Sequence, residues 1–166
     1  APYDAIPMDD GSLLVAEIAT GSITRASGDS FATRTPLASG LGGPVQMVLG
    51  PDGQLYVTEA AGNIQRIDPK TGAKTQVATG LALPEGLAFT PWGTLVVAEA
   101  AAGRLTELDL ANNQRRTVAE GLPIGLSAGP GMPPPYVPTG VAVGTDGSIY
   151  LSADRNNAIY RIRPVR

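Results

Sequence analysis

Residues 51–80, with the sequence PDGQLYVTEAAGNIQRIDPKTGAKTQVATG, decide the fold of this chain. An Asp-Gly pair opens the stretch, and the apolar run of residues 55–57 follows it directly. A second glycine turn leads into residues 63–67, and a third leads into a more polar segment that starts at Lys74. Short runs of strand-forming residues between glycine-containing turns are typical of antiparallel β-strands. The stretch therefore predicts consecutive short strands joined by tight turns.

Variants of this stretch recur along the chain. The opening turns carry Gly11, Gly53, Gly93 and Gly147, which are spaced 42, 40 and 54 residues apart. Each turn is followed by a nearly continuous apolar run and preceded by a shorter one. A period of about 40 residues with about four strands in each unit is the sequence signature of a β-propeller. We therefore predict an all-β fold, a β-propeller built of four four-stranded blades of about 40 residues each.

The repeats fill the chain as one domain, residues 1–166. The predicted blades are residues 1–41, 42–81, 82–122 and 136–166, and a proline-rich insertion, residues 123–137, accounts for the long third spacing. The fourth blade has three recognisable strands, so its closure is expected to be incomplete. Because proline stiffens a loop, the insertion is predicted to be either a packed connector or a contact loop. The candidate interface residues are Trp92, Met132, Pro134 and Tyr136.

Composition excludes several functional classes. The 166 residues have a net charge of -3, so general nucleic-acid binding is not expected. No apolar run approaches the roughly 20 residues of a membrane span. The chain contains neither histidine nor cysteine, which removes Ser-His-Asp and Cys-His catalysis and zinc sites of histidine or thiolate.

Carboxylates remain as candidates for chemistry. Glu17, Glu59 and Glu99 end the predicted central strands, and Asp154 follows the fourth with an offset of one residue. Quasi-symmetry would place these acids on one face of a propeller. Such a ring predicts a Ca²⁺ site, since calcium takes carboxylate and carbonyl oxygens. Alternatively, each acid caps the following turn by accepting backbone N–H groups.

Two segments carry a family resemblance. Residues 83–109, LPEGLAFTPWGTLVVAEAAAGRLTELD, and residues 137–162, VPTGVAVGTDGSIYLSADRNNAIYRI, resemble the NHL-type propellers. That group includes the gluconolactonase-like lactonases and the streptogramin lyases, and the last unit also resembles the terminal blade of quinone-dependent sugar dehydrogenases. These relatives have more blades, about six to eight in a closed ring. The resemblance therefore implies a small four-bladed ring, a ring shared by two copies, or a part of a larger propeller.

The resemblance also bears on the site. Glu85 is similar to the glutamate of an E-G pair that ligates metal in the gluconolactonase group, while Val45 and Thr139 occupy its repeat position elsewhere. The other ligands of that group, an Asn and an Asp, have no clear counterpart. The histidine-dependent mechanisms of the lyases and the quinone enzymes have no histidine to use here.

The sequence favours a non-catalytic binding or assembly module, a subunit or fragment of a larger complex in the periplasm or outside the cell. Its expected partner is another protein chain or a second copy that completes the propeller. It needs no cofactor in that role. One alternative is a lactonase-type hydrolase assisted by Ca²⁺, with Glu85 and the acid ring as ligands. A weaker alternative is a partner of a redox enzyme.

Overall fold

A computed structural model describes residues 1–127 and 138–163 of the chain. The chain divides into two compact units, Ala1–Leu81 and Ala82–Arg166. None of the helices in the described residues has the length and hydrophobicity to cross a lipid bilayer.

The described residues form fifteen strands and two short 3₁₀ turns. The strands are β1 (Pro2–Pro7), β2 (Leu13–Glu17), β3 (Ser22–Ser27), β4 (Thr33–Ala38), β5 (Pro44–Leu49), β6 (Leu55–Glu59), β7 (Asn63–Ile67), β8 (Lys74–Ala78), β9 (Pro84–Phe89), β10 (Leu95–Glu99), β11 (Arg104–Asp109), β12 (Gln114–Ala119), β13 (Val141–Val143), β14 (Ile149–Ala153) and β15 (Ala158–Ile162). The 3₁₀ turns, Asp29–Phe31 and Ala100–Ala102, carry no periodic signal in the sequence and were not predicted.

The first unit contains two antiparallel sheets, each with its strands in chain order. Sheet 1 consists of β1 to β4 and sheet 2 of β5 to β8. Pro36 lies in β4, the outermost strand of sheet 1. An outer edge tolerates proline because no neighbouring strand requires its missing N–H.

The core of the first unit lies between its two sheets. Leu14, Ala16 and Ile23 of sheet 1 pack in one cluster with residues of sheet 2 that include Met47 and Leu55. We call the side of sheet 1 that carries Ile23 its forward face, and the opposite side its rear face. Ile64, Leu105 and Ile159 occupy the equivalent register position and define the forward faces of sheets 2, 3 and 4. Burial of each large aliphatic side chain in such a core contributes about 1.5–3 kcal/mol.

Two polar contacts join the same pair of sheets. The Asp4 carboxylate accepts a hydrogen bond from the Met47 backbone N–H at 2.7 Å, and the Arg25 guanidinium donates to the Pro69 carbonyl at 2.7 Å. Sheet-to-sheet packing in this unit therefore combines an apolar centre with hydrogen bonds at its margin.

The second unit repeats this arrangement with one difference. Sheet 3 consists of β9 to β12, and sheet 4 has only the three strands β13 to β15 within the described residues. Val96, Ala98 and Leu105 on the forward face of sheet 3 pack against the rear face of sheet 4, including Ile149 and Leu151. This all-β organisation is the β-propeller class that the sequence predicted, with the fourth sheet short of an outer strand in the described part of the chain.

The start of the proline-rich insertion is part of the core. Ile124 is fully buried and belongs to the apolar cluster of the second unit. This part of the segment is therefore packed. Met132, Pro134 and Tyr136, the predicted contact residues of the insertion, lie outside the described residues.

Candidate functional site

Glu59 and Glu99, which end the second strands of sheets 2 and 3, are hydrogen-bonded to the loops that enter their own sheets. In sheet 2, Glu59 accepts the Gly42 backbone N–H at 2.8 Å. In sheet 3, Glu99 accepts the Ala82 backbone N–H at 2.7 Å. Both donors lie 17 residues before their acid, at the connection from the preceding sheet. The alternative that each acid caps the following turn is therefore wrong for Glu59 and Glu99, because the loop before the sheet donates the backbone N–H.

The fourth member of the set shows why its position is shifted by one residue. The residue equivalent to Gly42 and Ala82 is Pro123, which has no N–H to donate. Asp154 instead accepts the backbone N–H of Leu126 at 2.7 Å. The Asp154 carboxylate is thus also hydrogen-bonded to the segment before its sheet, with Leu126 as the donor.

Glu17 has a different environment in sheet 1. Its carboxylate accepts hydrogen bonds from the hydroxyls of Thr24 at 2.6 Å and Ser22 at 3.4 Å, and its side chain is only partly buried. Within the described ranges, no group of three or more His, Cys, Asp or Glu side chains is arranged to hold a metal ion. A cation site at these acids remains a prediction.

Glu99 is the most completely enclosed of these acids. Its side chain is 0% exposed and forms a two-pronged ion pair with Arg104, at 2.8 and 2.9 Å, while the Thr106 hydroxyl also donates to it. Burial by itself raises the pKa of Glu99, but the hydrogen bonds from Arg104, Thr106 and the backbone outweigh it and leave the pKa lowered. Glu99 is therefore an ionised structural anchor.

Glu85 lies apart from this set, at the start of sheet 3. Its carboxylate accepts the Thr139 backbone N–H at 2.6 Å, which ties the first strand of sheet 3 to the segment that enters sheet 4. Burial raises the pKa of Glu85, and the negative charge of Asp154 adds to the rise, against the hydrogen bond from Thr139. Two oxygens in this region, Thr139 Oγ1 and Asp154 Oδ1, are buried without a hydrogen-bond partner among the described residues.

Trp92 was predicted as an interface anchor on the surface. Its side chain is 40% exposed, and its indole N–H donates to the Glu107 carboxylate at 2.9 Å. The ring lies against Gly147, where an added Cβ would come within 2.6 Å of it. Trp92 therefore makes contacts inside the second unit, whereas its predicted role in an interface is untested.

A surface cavity of about 620 Å³ also lies in the second unit. It is bounded by the hairpin of residues 100–103, by residues 121–125 and by Arg155. Small and apolar groups make up most of this lining, and Arg155 is its charged member.

The feature that the sequence analysis missed is the forward face of sheet 4. Ile159 is 70% exposed there, whereas its counterparts Ile23 in sheet 1 and Leu105 in sheet 3 are each 0% exposed. Tyr150, the counterpart of Leu14, is 38% exposed, whereas Leu14 is 0% exposed. The strand registers establish the equivalence, since Ile23 faces Ala16 and Ile159 faces Ser152. Aligning the third strands would have identified this position, but only the structure shows it uncovered.

Four sheets of consecutive antiparallel strands, each packed face to face with a neighbour in its unit, define a β-propeller protein. No protein-family model matches the sequence, and a search of curated proteins gives no match.

Solved structures share this fold. Virginiamycin B lyase from Staphylococcus aureus is 22% identical with a TM-score of 0.73, and the match covers 97% of this chain and 52% of that one. A gluconolactonase from Xanthomonas campestris is 21% identical with a TM-score of 0.68 and coverages of 97% and 61%. A chain of a nidogen/laminin complex is 16% identical with a TM-score of 0.76 and coverages of 98% and 60%.

These identities establish the fold alone. The chain spans between 52% and 61% of the length of these three structures, so it corresponds to part of each. A histidine-to-alanine variant of the S. aureus lyase, solved with Quinupristin, is described as catalytically inactive. The propeller class therefore includes enzymes as well as a chain found in a protein complex, and function must be argued from this chain's own residues.

Proposed function

We propose that this chain is a non-catalytic propeller module that assembles with another polypeptide through the forward face of sheet 4. The observation that carries the proposal is the exposure of Ile159, which is buried at the equivalent position of sheets 1 and 3. An exposed aliphatic side chain on a sheet face whose counterparts form a core indicates a surface that another protein buries. The absence of histidine from these 166 residues supports a role without lyase chemistry.

The edge of sheet 4 supports the same proposal. In the described residues β15 is the last strand of the sheet, so its outer backbone groups face no further strand. Unpaired edges of this kind accept strands from other chains.

Native mass spectrometry of the purified chain tests the proposal. We expect a species heavier than the 17.0 kDa chain, and we expect Ile159→Asp to abolish it by placing a charge in the buried contact. Leu49→Asp is the matched control, because Leu49 is also an exposed aliphatic residue of a strand but lies in the first unit. A 17.0 kDa monomer at every concentration would contradict the proposal.

A second candidate function is a hydrolase assisted by Ca²⁺, favoured by the surroundings of Glu85. The negative charge of Asp154 adds to the raised pKa of Glu85, and Asp154 Oδ1 and Thr139 Oγ1 are buried oxygens that a cation would satisfy. Bound calcium would polarise the carbonyl of a lactone substrate. Two carboxylates are fewer than calcium usually collects, so backbone carbonyls or water would supply the remaining ligands.

Thermal unfolding with calcium or with a chelator tests this candidate. If calcium binds, it should raise the melting temperature of the wild type, and Glu85→Gln should remove most of the shift. Glu120→Gln, which changes an exposed acid, should keep the shift. Lactone hydrolysis should follow the same pattern. Equal melting temperatures with and without calcium would eliminate the candidate.

A further inference from the structure

The chain carries both halves of the contact that joins its sheets. In the first unit the forward face of sheet 1 packs on the rear face of sheet 2, and in the second unit sheet 3 packs on sheet 4 in the same way. Ile64 on the forward face of sheet 2 and Val97 on the rear face of sheet 3 are each 0% exposed. The forward face of sheet 4 and the rear face of sheet 1, by contrast, carry the exposed residues Ile159 and Ala5. We propose that these two faces bind each other between two copies of the chain, head to tail. This inference rests on the proposed function and names its partner.

The rear face of sheet 1 is open where the other rear faces are closed. Ala5 is exposed, whereas Met47, which pairs at the equivalent register position of sheet 2, is buried. Leu13 is partly exposed, whereas its counterparts Leu55 and Ile149 are 0% and 1% exposed. Two of the positions that meet a preceding sheet elsewhere, Ala5 and Leu13, are thus uncovered in sheet 1, while Val15 between them is 6% exposed.

Ile159 and Ala5 are the residues that this arrangement would bring together. Their counterparts Ile23 and Met47 belong to the same buried cluster between sheets 1 and 2. If a second copy repeats that packing, Ile159 of one copy meets the Ala5 region of the other. The small side chain at residue 5 leaves room for the larger aromatic side chain of Tyr150, whose counterpart in sheet 1 is Leu14.

The polar margin of sheet 4 matches that of sheet 1. Arg25 binds Asp10 and Ser12 of its own sheet, and it also donates to the Pro69 carbonyl of the next sheet. Arg161 repeats the first part of this pattern, donating at 3.0 Å both to Asp146 and to the Ser148 hydroxyl. Its guanidinium is therefore held in the orientation from which Arg25 reaches a neighbouring sheet, and a carbonyl of a similar sheet fits it.

The sizes of the structural relatives agree with a pair of copies. This chain covers 52% of the S. aureus lyase and 60% of the chain from the nidogen/laminin complex. The part of the lyase that this chain does not cover is therefore about as long as a second copy, and the uncovered part of the other chain is shorter than one copy.

Cysteine crosslinking tests this arrangement directly, because the chain contains no cysteine of its own. Ala5→Cys and Ile159→Cys are made as separate variants, mixed, and treated with a short bifunctional maleimide. We expect a crosslinked species of twice the chain mass in the mixture, and only background amounts in either variant alone. Asn112→Cys, on an exposed turn between β11 and β12, replaces each partner in turn as the control for random collision. Circular dichroism confirms that each variant is folded.

Four results would overturn the inference. Crosslinking of Ile159→Cys with itself would show a symmetric contact of two sheet 4 faces. Crosslinking within a single chain of the double variant, at high dilution, would show that one chain satisfies both faces by itself. A heavier native species that contains a different polypeptide, without crosslinking in the mixture, would refute the second copy and leave the proposed function intact. No heavier species at all would refute both.

Discussion

Removal of the Glu99 carboxylate provides the most direct test of how these sheets are held together. In Glu99→Ala, the Ala82 N–H, the Thr106 hydroxyl and the Arg104 guanidinium all lose their acceptor. Breaking a buried ion pair by removing one partner costs about 3–5 kcal/mol. Because the Arg104 side chain is 40% exposed and can be rehydrated, we expect the lower end of that range, about 3 kcal/mol.

Glu17→Ala is the matched control, since Glu17 ends the equivalent strand of sheet 1. Its carboxylate is partly exposed and accepts only hydroxyl hydrogen bonds among those described, from Thr24 and Ser22. Hydrogen bonds to a charged group contribute about 1.5–3 kcal/mol, and partial exposure of Glu17 puts its loss at the lower end of that range, about 1.5 kcal/mol. Glu99→Ala should therefore be less stable than Glu17→Ala by about 1.5 kcal/mol.

Urea unfolding at pH 7 measures both variants. Trp92, the single tryptophan, reports on the second unit by fluorescence, and circular dichroism reports on both units. Unfolding slopes that match the wild type would show that the variants differ in stability rather than in compactness. Equal losses for the two variants, or a loss below about 1 kcal/mol for Glu99→Ala, would refute the structural role assigned to this acid.

The pH dependence supplies an independent check of the same reasoning. The pKa of Glu99 is lowered in the folded chain from its ordinary value of 4.5. Between the folded and unfolded pKa values, the unfolded chain binds more protons, so stability falls as the pH falls through this range. The stability difference between wild type and Glu99→Gln should therefore be constant from pH 7 to about 5 and shrink below it.

Two further predictions concern Glu85 and the turn glycines. The pKa of Glu85 is raised by burial from its ordinary value of 4.5, so its contribution to stability should fall as the pH rises above that value. Glu85→Gln should therefore gain stability relative to wild type between pH 4 and pH 7. Melting curves at both pH values, with Glu120→Gln as the control, measure this gain, and a constant difference between Glu85→Gln and wild type would contradict it. Gly72→Ala would place a Cβ 1.9 Å from the Leu37 carbonyl oxygen at a φ of +74°, whereas Gly53→Ala, at +71°, meets nothing within 4 Å. In urea unfolding we expect the free energy of unfolding to fall by about 1 kcal/mol in Gly53→Ala and by at least about 3 kcal/mol in Gly72→Ala. Similar losses in the two variants would show that the steric contact with Leu37 adds nothing to the cost of backbone strain.

The sequence by itself determined the repeat and the strands. Glycine turns at a spacing near 40 residues are local signals, because a turn conformation depends on the residues that form it.

The partners of the acids could not be predicted in the same way. Glu59 and Glu99 were recognisable as a repeated set, but their backbone donors lie 17 residues earlier, and Glu85 is bonded to Thr139, 54 residues later. Hydrogen bonds over such separations depend on where the connecting loops pack. The capping alternative therefore named the following turns, whereas residues of the preceding loops donate the backbone N–H groups to Glu59 and Glu99.

Burial was decided only by the tertiary structure. Ile23 and Ile159 are the same residue type at equivalent positions of equivalent strands, yet one is 0% and the other 70% exposed. Nothing in either strand distinguishes them, because the exposure of a side chain depends on whether another sheet packs over it. The sequence determined that both positions are apolar, and only the packing of neighbouring sheets determined which one is left exposed.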